Sequence, residues 1–270
     1  MSNKGLMGFR TLLLGGPGSG KSFAIRTLVE AGMTPMVIMT EPCEVHGDVP
    51  EDKLHWKYIS PMKTGLKEFE DQIKKVSSMT HQQLCDANDM NRHTDNRMLE
   101  LTKTLNEFEC DRTGEKFGAV DTWGTDKVLV IDSLSGLVMM ALSVVVGNRV
   151  ALNIADYGKW QGLVERATNE MVLKLKCPIV MTGHLELETD EMTMQKKVMA
   201  SLPGKKLAQT FGRYFSDVVL AKRVGKEFFW STIEGNMDLK ARNLPFDDKL
   251  KPSFVQIVEK WKERGGVIGD

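Results

Sequence analysis

The sequence predicts an α/β fold in which a mainly parallel, twisted sheet is flanked by helices. Segments with the composition of strands alternate with helical stretches, an order typical of such sheets. Several strand segments are continuous apolar runs, such as residues 128–131, which favours strands buried on both faces. A glycine-rich segment, residues 15–20, joins the first strand to the first helix. These observations indicate a single domain over residues 1–270.

Two parts of the chain stand apart from this alternation. Residues 81–109 are polar and poor in aromatic residues, and we interpret them as an excursion from the sheet, either a helical hairpin or a mobile arm. Residues 252–264 predict a C-terminal helix packed on the core, because their apolar residues recur at helical spacing. Strands are expected at seven places, which are residues 11–14, 35–40, 56–59, 128–131, 178–182, 218–221 and 228–233.

The composition predicts a soluble protein of the cytoplasm with no membrane partner. Lys plus Arg and Asp plus Glu both number 36, so any nucleic-acid site has to be a local patch of charge. The four cysteines are scattered without a C-x-x-C pair, which is typical of a reducing compartment. The most apolar segment, residues 137–146, is too short to cross a bilayer.

Residues 15–22 carry the G-x-x-x-x-G-K-S pattern of a phosphate-binding loop between a strand and a helix. Glycines let backbone N–H groups converge on an anion, and the first N–H groups of the following helix add to the attraction. In such loops the lysine contacts the β- and γ-phosphates and the serine ligates Mg²⁺. We therefore predict ATP and Mg²⁺ as ligands of eight loop residues, Gly15, Gly16, Pro17, Gly18, Ser19, Gly20, Lys21 and Ser22.

Three further polar residues follow apolar strands and are expected at the carboxyl edge of the sheet, where open α/β folds bind ligands. Asp132 is predicted to hold the water shell of Mg²⁺ beside Ser22, with capping of the next helix as the alternative. Glu41 is predicted to orient the water that attacks the γ-phosphate, with a solvated loop acid as the alternative. His184 is predicted to sense the γ-phosphate, and a packing or surface histidine is the alternative.

The order of these segments resembles the RecA-like ATPase core. The resemblance is carried by residues 15–22, 40–41, 128–133 and 182–184, and residues 239–243 resemble the K-x-R-N element of DnaB-type helicase cores. More narrowly, residues 108–114 and 202–204 look like those of the compact RecA-core (AAA) ATPases of bacteriophages that are grouped with single-strand annealing recombination. RecA itself has a glutamine where His184 stands, so the switch need not act identically.

The resemblance implies a RecA-like P-loop fold, ATP hydrolysis and assembly into a homo-oligomeric ring or filament with active sites between subunits. Lys240 and Arg242 would then reach the γ-phosphate bound by the neighbouring subunit. A cation supplied in this way accelerates phosphoryl transfer by about 10³- to 10⁵-fold. The alternative for these two residues is a solvated edge strand with alternating charges. The resemblance also implies single-stranded DNA as a partner, in phage recombination or strand annealing in the host cytoplasm.

A basic stretch follows the acidic residues that come after His184. Residues 196–226 contain eight basic residues and a single acidic residue, Asp217. A mobile loop of this kind would bind DNA phosphates, because each neutralised phosphate releases counterions. Subunit contacts or simple solvation are the alternatives. The residues predicted to contact DNA are Lys196, Lys197, Lys205, Lys206 and Arg149.

Two other classes of function are compatible with the phosphate loop. A small-molecule kinase needs an acceptor pocket and a mobile lid with an arginine, for which residues 81–109, with Arg92 and Arg97, are the candidate. A nucleotide-gated interaction protein would recruit other proteins and hydrolyse ATP very slowly. Stimulation of turnover by single-stranded DNA, by a metabolite or by neither separates the three classes.

Overall fold

The computed structural model describes residues 6–42, 46–61, 65–80, 82, 96–146, 152, 154–189 and 196–269. Ten strands lie in these residues: β1 (Arg10–Gly15), β2 (Thr34–Met39), β3 (His55–Tyr58), β4 (Lys127–Asp132), β5 (Ile179–Gly183), β6 (Leu185–Thr189), β7 (Lys196–Ala200), β8 (Asp217–Val224), β9 (Glu227–Ser231) and β10 (Lys240–Ala241). The described helices are α1 (Lys21–Ala24), α2 (Thr27–Glu30), α3 (Leu66–Ser77), α4 (Arg97–Asn106), α5 (Leu134–Val146), α6 (Ile154–Lys174), α7 (Lys205–Thr210) and α8 (Val255–Glu263). Short 3₁₀ turns occupy Val120–Thr122 and Phe211–Tyr214.

The main sheet has eight strands in the order β10-β8-β1-β5-β4-β2-β3, and β9 also pairs with β8. The five pairings from β8 to β3 are parallel, whereas β9 and β10 are antiparallel to β8. The α/β class with a mostly parallel sheet is therefore confirmed. All seven segments expected to be strands overlap β1 to β5, β8 and β9, with bounds that differ by at most two residues where they extend beyond a strand.

The two faces of the sheet carry two separate apolar cores, because neighbouring residues of a strand point to opposite faces. Leu12 and Ile131 belong to the core that α4, α5, α6 and α7 cover. Leu13 and Val130 belong to the core that α1, α2 and α8 cover. This double burial explains why the central strands are continuous apolar runs in the sequence.

The segment after β5 differs from the sequence prediction of a loop. β6 and β7 form a two-stranded antiparallel hairpin, in which Leu187 pairs with Val198 and Glu188 with Lys197. The alternation of leucine and glutamate in β6 is the period of a strand with one solvated face. Val198 also pairs with Met237, so the hairpin is joined to the chain that leads into β10.

The two segments set apart in the sequence are described to different extents. In the predicted excursion, residues 81 and 83–95 lie outside the described residues, and α4 follows them with Asn96 accepting a hydrogen bond from the N–H of Leu99 at 3.0 Å. The C-terminal helix, expected at residues 252–264, is α8, which buries Ile257, Val258 and Trp261. Within the described part of the chain, no helix is both long enough and apolar enough to cross a membrane.

Candidate nucleotide site

The phosphate loop, residues 15–22, leaves β1 at the centre of the sheet and needs glycine at three positions. Gly18 and Gly20 have φ values of 68° and 84°, in the left-handed region that glycine adopts without strain. A Cβ on Gly15 would lie 2.5 Å from Ser19 Oγ and 2.7 Å from the carbonyl oxygen of Ala221. The loop is therefore a compact backbone structure that side chains at these positions would disrupt.

Lys21 is folded into this loop. Its ammonium donates hydrogen bonds to the carbonyl oxygens of Gly15 and Gly16, both at 2.9 Å, and the residue is 7% exposed. Burial lowers the pKa of Lys21, while the negative charges of Asp132 and Glu41 partly oppose this shift. The loop thus contains a nearly buried cation next to two acids and held by backbone oxygens.

The helix after the loop is shorter than the sequence pattern indicates. α1 ends at Ala24 and α2 begins at Thr27, and the N–H groups of Ile25 and Arg26 bond to carbonyls three residues earlier. Such tighter bonding is typical of 3₁₀ turns. The side chain of Thr27 donates to the carbonyl of Ala24 at 2.7 Å across the break. A four-residue helix adds little dipole, so the loop N–H groups and Lys21 supply most of the attraction for an anion.

Asp132 ends β4, two strands away from the phosphate loop. It is buried and accepts a hydrogen bond from the hydroxyl of Thr182, which lies near the end of β5. The parallel register aligns Ile131 with Met181, so the carboxyl ends of these strands meet at the same edge. The peptide bond between Asp132 and Ser133 is cis. The contact with Thr182 fixes the carboxylate at the sheet edge.

Glu41 and His184 lie together at this edge, with Ser133 beside them. The hydroxyl of Ser133 donates to Glu41 Oε1 at 2.7 Å, and the same oxygen is 3.6 Å from His184 Nε2. The Glu41 side chain is 53% exposed, so water has access to it. The structure therefore brings together the acid and the histidine that the sequence predicted separately.

Thr40 connects this group to the strands. Its hydroxyl accepts a hydrogen bond from the N–H of Ser133 at 2.9 Å and donates to the carbonyl of the same residue at 3.2 Å. A Cβ on Gly136, in α5, would lie 2.0 Å from Thr40 Oγ1, so only glycine permits this approach. Sequence reasoning assigned no role to Thr182, Ser133 or the Thr40 hydroxyl, although each is a polar residue at a strand end.

Lys240 and Arg242 do not approach the phosphate loop of their own chain. Lys240 pairs with Val218, which pairs with Leu12, three residues before Gly15. At about 3.3 Å per residue and about 4.8 Å per strand, β10 lies about 10 Å from the loop along the strands and about 10 Å across the sheet. Both residues are exposed at the edge of the sheet.

Asp217 holds this edge segment in place. Its buried carboxylate accepts hydrogen bonds from the N–H groups of Arg242 and Asn243, at 2.8 and 2.7 Å, and from the side-chain amide of Asn243 at 2.6 Å. The ammonium of Lys240 donates to the carbonyl of Phe215 at 2.5 Å. The backbone is therefore fixed, while the Arg242 side chain extends from an exposed position.

The predicted DNA-binding lysines lie on the β6–β7 hairpin and on α7. Two of them form ion pairs, Lys197 with Asp238 at 2.5 Å and Lys205 with Glu188. Lys196 and Lys206 are exposed. Arg149 lies outside the described residues. The acids that the sequence places around this stretch therefore neutralise part of the basic cluster within one protomer.

Comparison with known proteins found no family model that matches the chain and no curated protein with significant similarity to it. Among the described residues, no group of three or more His, Cys, Asp or Glu side chains is arranged to hold a metal ion. A magnesium ion beside a phosphate loop does not need such a group, because a serine, phosphate oxygens and water supply most of its ligands.

Proposed function

We propose that this protein is a Mg²⁺-dependent ATPase with a RecA-like P-loop core that works as a homo-oligomer on single-stranded DNA. The observation that carries the proposal is the meeting of two groups at one edge of the sheet. One is the phosphate loop with Lys21, and the other is the cluster of Glu41, Ser133 and His184. This arrangement provides an anion site and, next to it, an acid with access to water.

The residues at this edge are compatible with a magnesium ion bound together with a triphosphate. Ser22 is half-buried in the first turn of α1, and Asp132 is an oxygen donor fixed by Thr182. Hard oxygen donors of this kind are the ones that Mg²⁺ prefers. When bound, the ion would neutralise charge that develops on the phosphate oxygens.

Within one protomer, Lys21 holds the phosphates and Glu41 orients the attacking water. Glu41 Oε1 already accepts a hydrogen bond from Ser133, which limits the positions that the carboxylate adopts. His184, 3.6 Å from that oxygen, is placed to contact the same water or the terminal phosphate. Among the residues that the structure describes, these roles assign no second cation of the same chain to the charge of the transition state.

We assign that second cation to a neighbouring protomer. Lys240, in the edge strand β10, and Arg242, directly after it, are exposed and too far from their own phosphate loop to reach it. A head-to-tail interface, in which one protomer's β10 edge approaches the next protomer's loop, would form a ring or a filament. The backbone hydrogen bonds to Asp217 give such a contact a fixed geometry.

The basic residues of the β6–β7 hairpin and α7 are the proposed contact with single-stranded DNA in annealing or recombination. The β6–β7 hairpin starts directly after His184 and exposes Lys196, and α7 exposes Lys206. DNA phosphates would compete with Asp238 and Glu188 for the two paired lysines. Binding of this kind weakens as salt rises, because counterion release drives it.

The test is the rate of phosphate release from Mg-ATP, with and without single-stranded DNA, over a series of salt concentrations. We expect hydrolysis without DNA and stimulation by DNA that is largest at low salt. If single-stranded DNA does not change the rate at low salt, the proposed DNA partner is contradicted, whereas the proposed ATPase activity is not. No hydrolysis under any condition, by protein shown to be folded and assembled, would contradict the ATPase itself.

A further inference from the structure

The hairpin formed by β8 and β9 flanks the phosphate loop on the side away from Asp132 and Glu41. β8 pairs with β1 on that side, while β5 pairs with β1 on the other. The ring of Phe228, in β9, lies against the loop, since a Cβ on Gly20 would be 3.0 Å from its Cδ1 atom. Phe228 is nevertheless 41% exposed, so part of this large apolar ring faces solvent next to the loop backbone.

Arg223 stands beside this ring. Its guanidinium carbon is 5.8 Å from the ring centroid, within the range of a cation–π contact. Its Nη1 atom is 3.8 Å from the position that a Cβ on Gly18 would take. Arg223 Nε donates to the carbonyl of Gly225 at 3.0 Å, which holds the side chain against the hairpin turn. An aromatic ring and a cation thus lie together beside two loop glycines.

The location of the acids fixes the direction in which a bound nucleotide would extend. Asp132, Glu41 and His184 all lie on the β5 side of the loop, so the reacting end of the triphosphate belongs there. The nucleoside end of a bound nucleotide therefore lies on the other side of the loop, next to β8 and β9. An exposed aromatic ring at that point offers a flat surface on which a nucleobase can stack.

We propose that Phe228 and Arg223 form the nucleoside subsite of this nucleotide site. The Phe228 ring stacks on the base, and the Arg223 guanidinium pairs with the phosphate nearest the ribose. Because a purine covers more of the ring than a pyrimidine does, the subsite favours purine nucleoside triphosphates. This inference rests on the proposed nucleotide function and adds to it the means by which the base is held.

The experiment compares binding of Mg-ATP and of magnesium with inorganic tripolyphosphate by titration calorimetry. Phe228→Ala is expected to weaken ATP binding by about tenfold while tripolyphosphate binding stays the same, because only ATP carries a base. Phe228→Tyr keeps the ring and should retain the affinity for ATP. Phe246→Ala is the matched control, since Phe246 is 75% exposed at a position beyond β10.

The outcomes separate this inference from the proposed function. If wild-type protein binds ATP and tripolyphosphate equally well, or if Phe228→Ala weakens both or neither, the nucleoside subsite is wrong and the phosphate site stands. If Phe228→Ala alters only the oligomeric mass, the ring serves an interface between copies and the inference is overturned. If wild-type protein binds neither ligand, the subsite and the proposed function both fail.

Discussion

The two flanks of the phosphate loop are built in different ways. On the β5, β4 and β2 side, which we call the acidic flank, side chains bond to one another within the chain: Thr182 to Asp132 and Ser133 to Glu41. The β8, β9 and β10 side is the cationic flank, where Arg223 and Arg242 are exposed. The Arg242 N–H donates to Asp217, and the Arg223 side chain donates to the carbonyl of Gly225; neither guanidinium forms an ion pair among the described residues.

This difference indicates which parts of the site one protomer completes alone. Side chains that bond to one another are positioned before any ligand arrives, which is the form that electrostatic catalysis needs. Exposed cations on a fixed backbone are suited to a group that comes from outside, either a nucleotide or a second copy of the chain. In the proposed function, the acidic flank therefore carries the chemistry, and the cationic flank carries nucleotide recognition and assembly.

The largest effect is expected from Lys21→Ala, at the junction of the two flanks. Removing the only loop cation should lower the rate of ATP hydrolysis by about 10³-fold or more. Steady-state phosphate release measures this, and Lys262→Ala, an exposed lysine on α8, is the control. Hydrolysis by Lys21→Ala at near the wild-type rate would show that the loop is not the site of the reaction.

The next effect concerns the fold of the cationic flank. Asp217→Ala leaves three donors of Arg242 and Asn243 without their buried acceptor and should lower the free energy of unfolding by about 3 kcal/mol. Asp238→Ala removes an acid whose side chain is exposed and should cost less than about 1 kcal/mol. Urea denaturation measures both variants. Equal losses would mean that Asp217 does not anchor the β10 edge.

A smaller effect is expected from Thr182→Val in the acidic flank. The substitution keeps the shape of a fully buried side chain and removes the hydroxyl that bonds to Asp132. Loss of such a partner typically lowers metal affinity or activity by about 10- to 100-fold. We expect Thr182→Val to need a higher magnesium concentration for hydrolysis. Thr182→Ser keeps the hydroxyl and should need the same concentration as wild-type protein. If Thr182→Val needs no more magnesium than wild-type protein does, Thr182 does not contribute to magnesium binding.

The smallest effect is on the pH dependence of stability. His46 is 1% exposed, its ring nitrogens have no hydrogen-bond partner among the described residues, and burial lowers its pKa below the ordinary 6.5. The unfolded chain therefore binds a proton on His46 more readily than the folded protein does. As a result, the free energy of unfolding falls as the pH drops below about 6.5. His55, whose pKa burial also lowers, acts in the same direction.

Denaturation midpoints between pH 7.5 and 5 measure this slope. His46→Gln should flatten the decline and leave the part due to His55. A slope identical in His46→Gln and wild-type protein would show that His46 is not held neutral in the fold.

The parts predicted from sequence were those that local patterns determine. The phosphate loop has a fixed spacing, and Asp132, Glu41 and His184 each follow an apolar run whose parallel neighbours end at the same edge. Gly136 against Thr40 and Thr182 against Asp132 are contacts between residues far apart in the chain, and no local pattern signals them.

Two misses have other physical reasons. The basic stretch after His184 predicts a mobile loop, whereas residues 185–189 and 196–200 form an antiparallel pair whose alternation of charged and apolar residues is that of strands. The sequence predicts Phe228 only as a strand residue, since its position against Gly20 depends on how β9 pairs with β8.

The central claim, that one protomer supplies the loop and its neighbour the cation, is tested most directly by mixing two inactive variants. Arg242→Ala alone should lower turnover by about 10³-fold or more while ATP affinity stays nearly unchanged. In a 1:1 mixture with Lys21→Ala, about one interface in four joins an intact loop to an intact Arg242, so about a quarter of the wild-type rate should return. If the two variants are shown to co-assemble and no activity returns at any ratio, or if Arg242→Ala alone is fully active, the claim is contradicted.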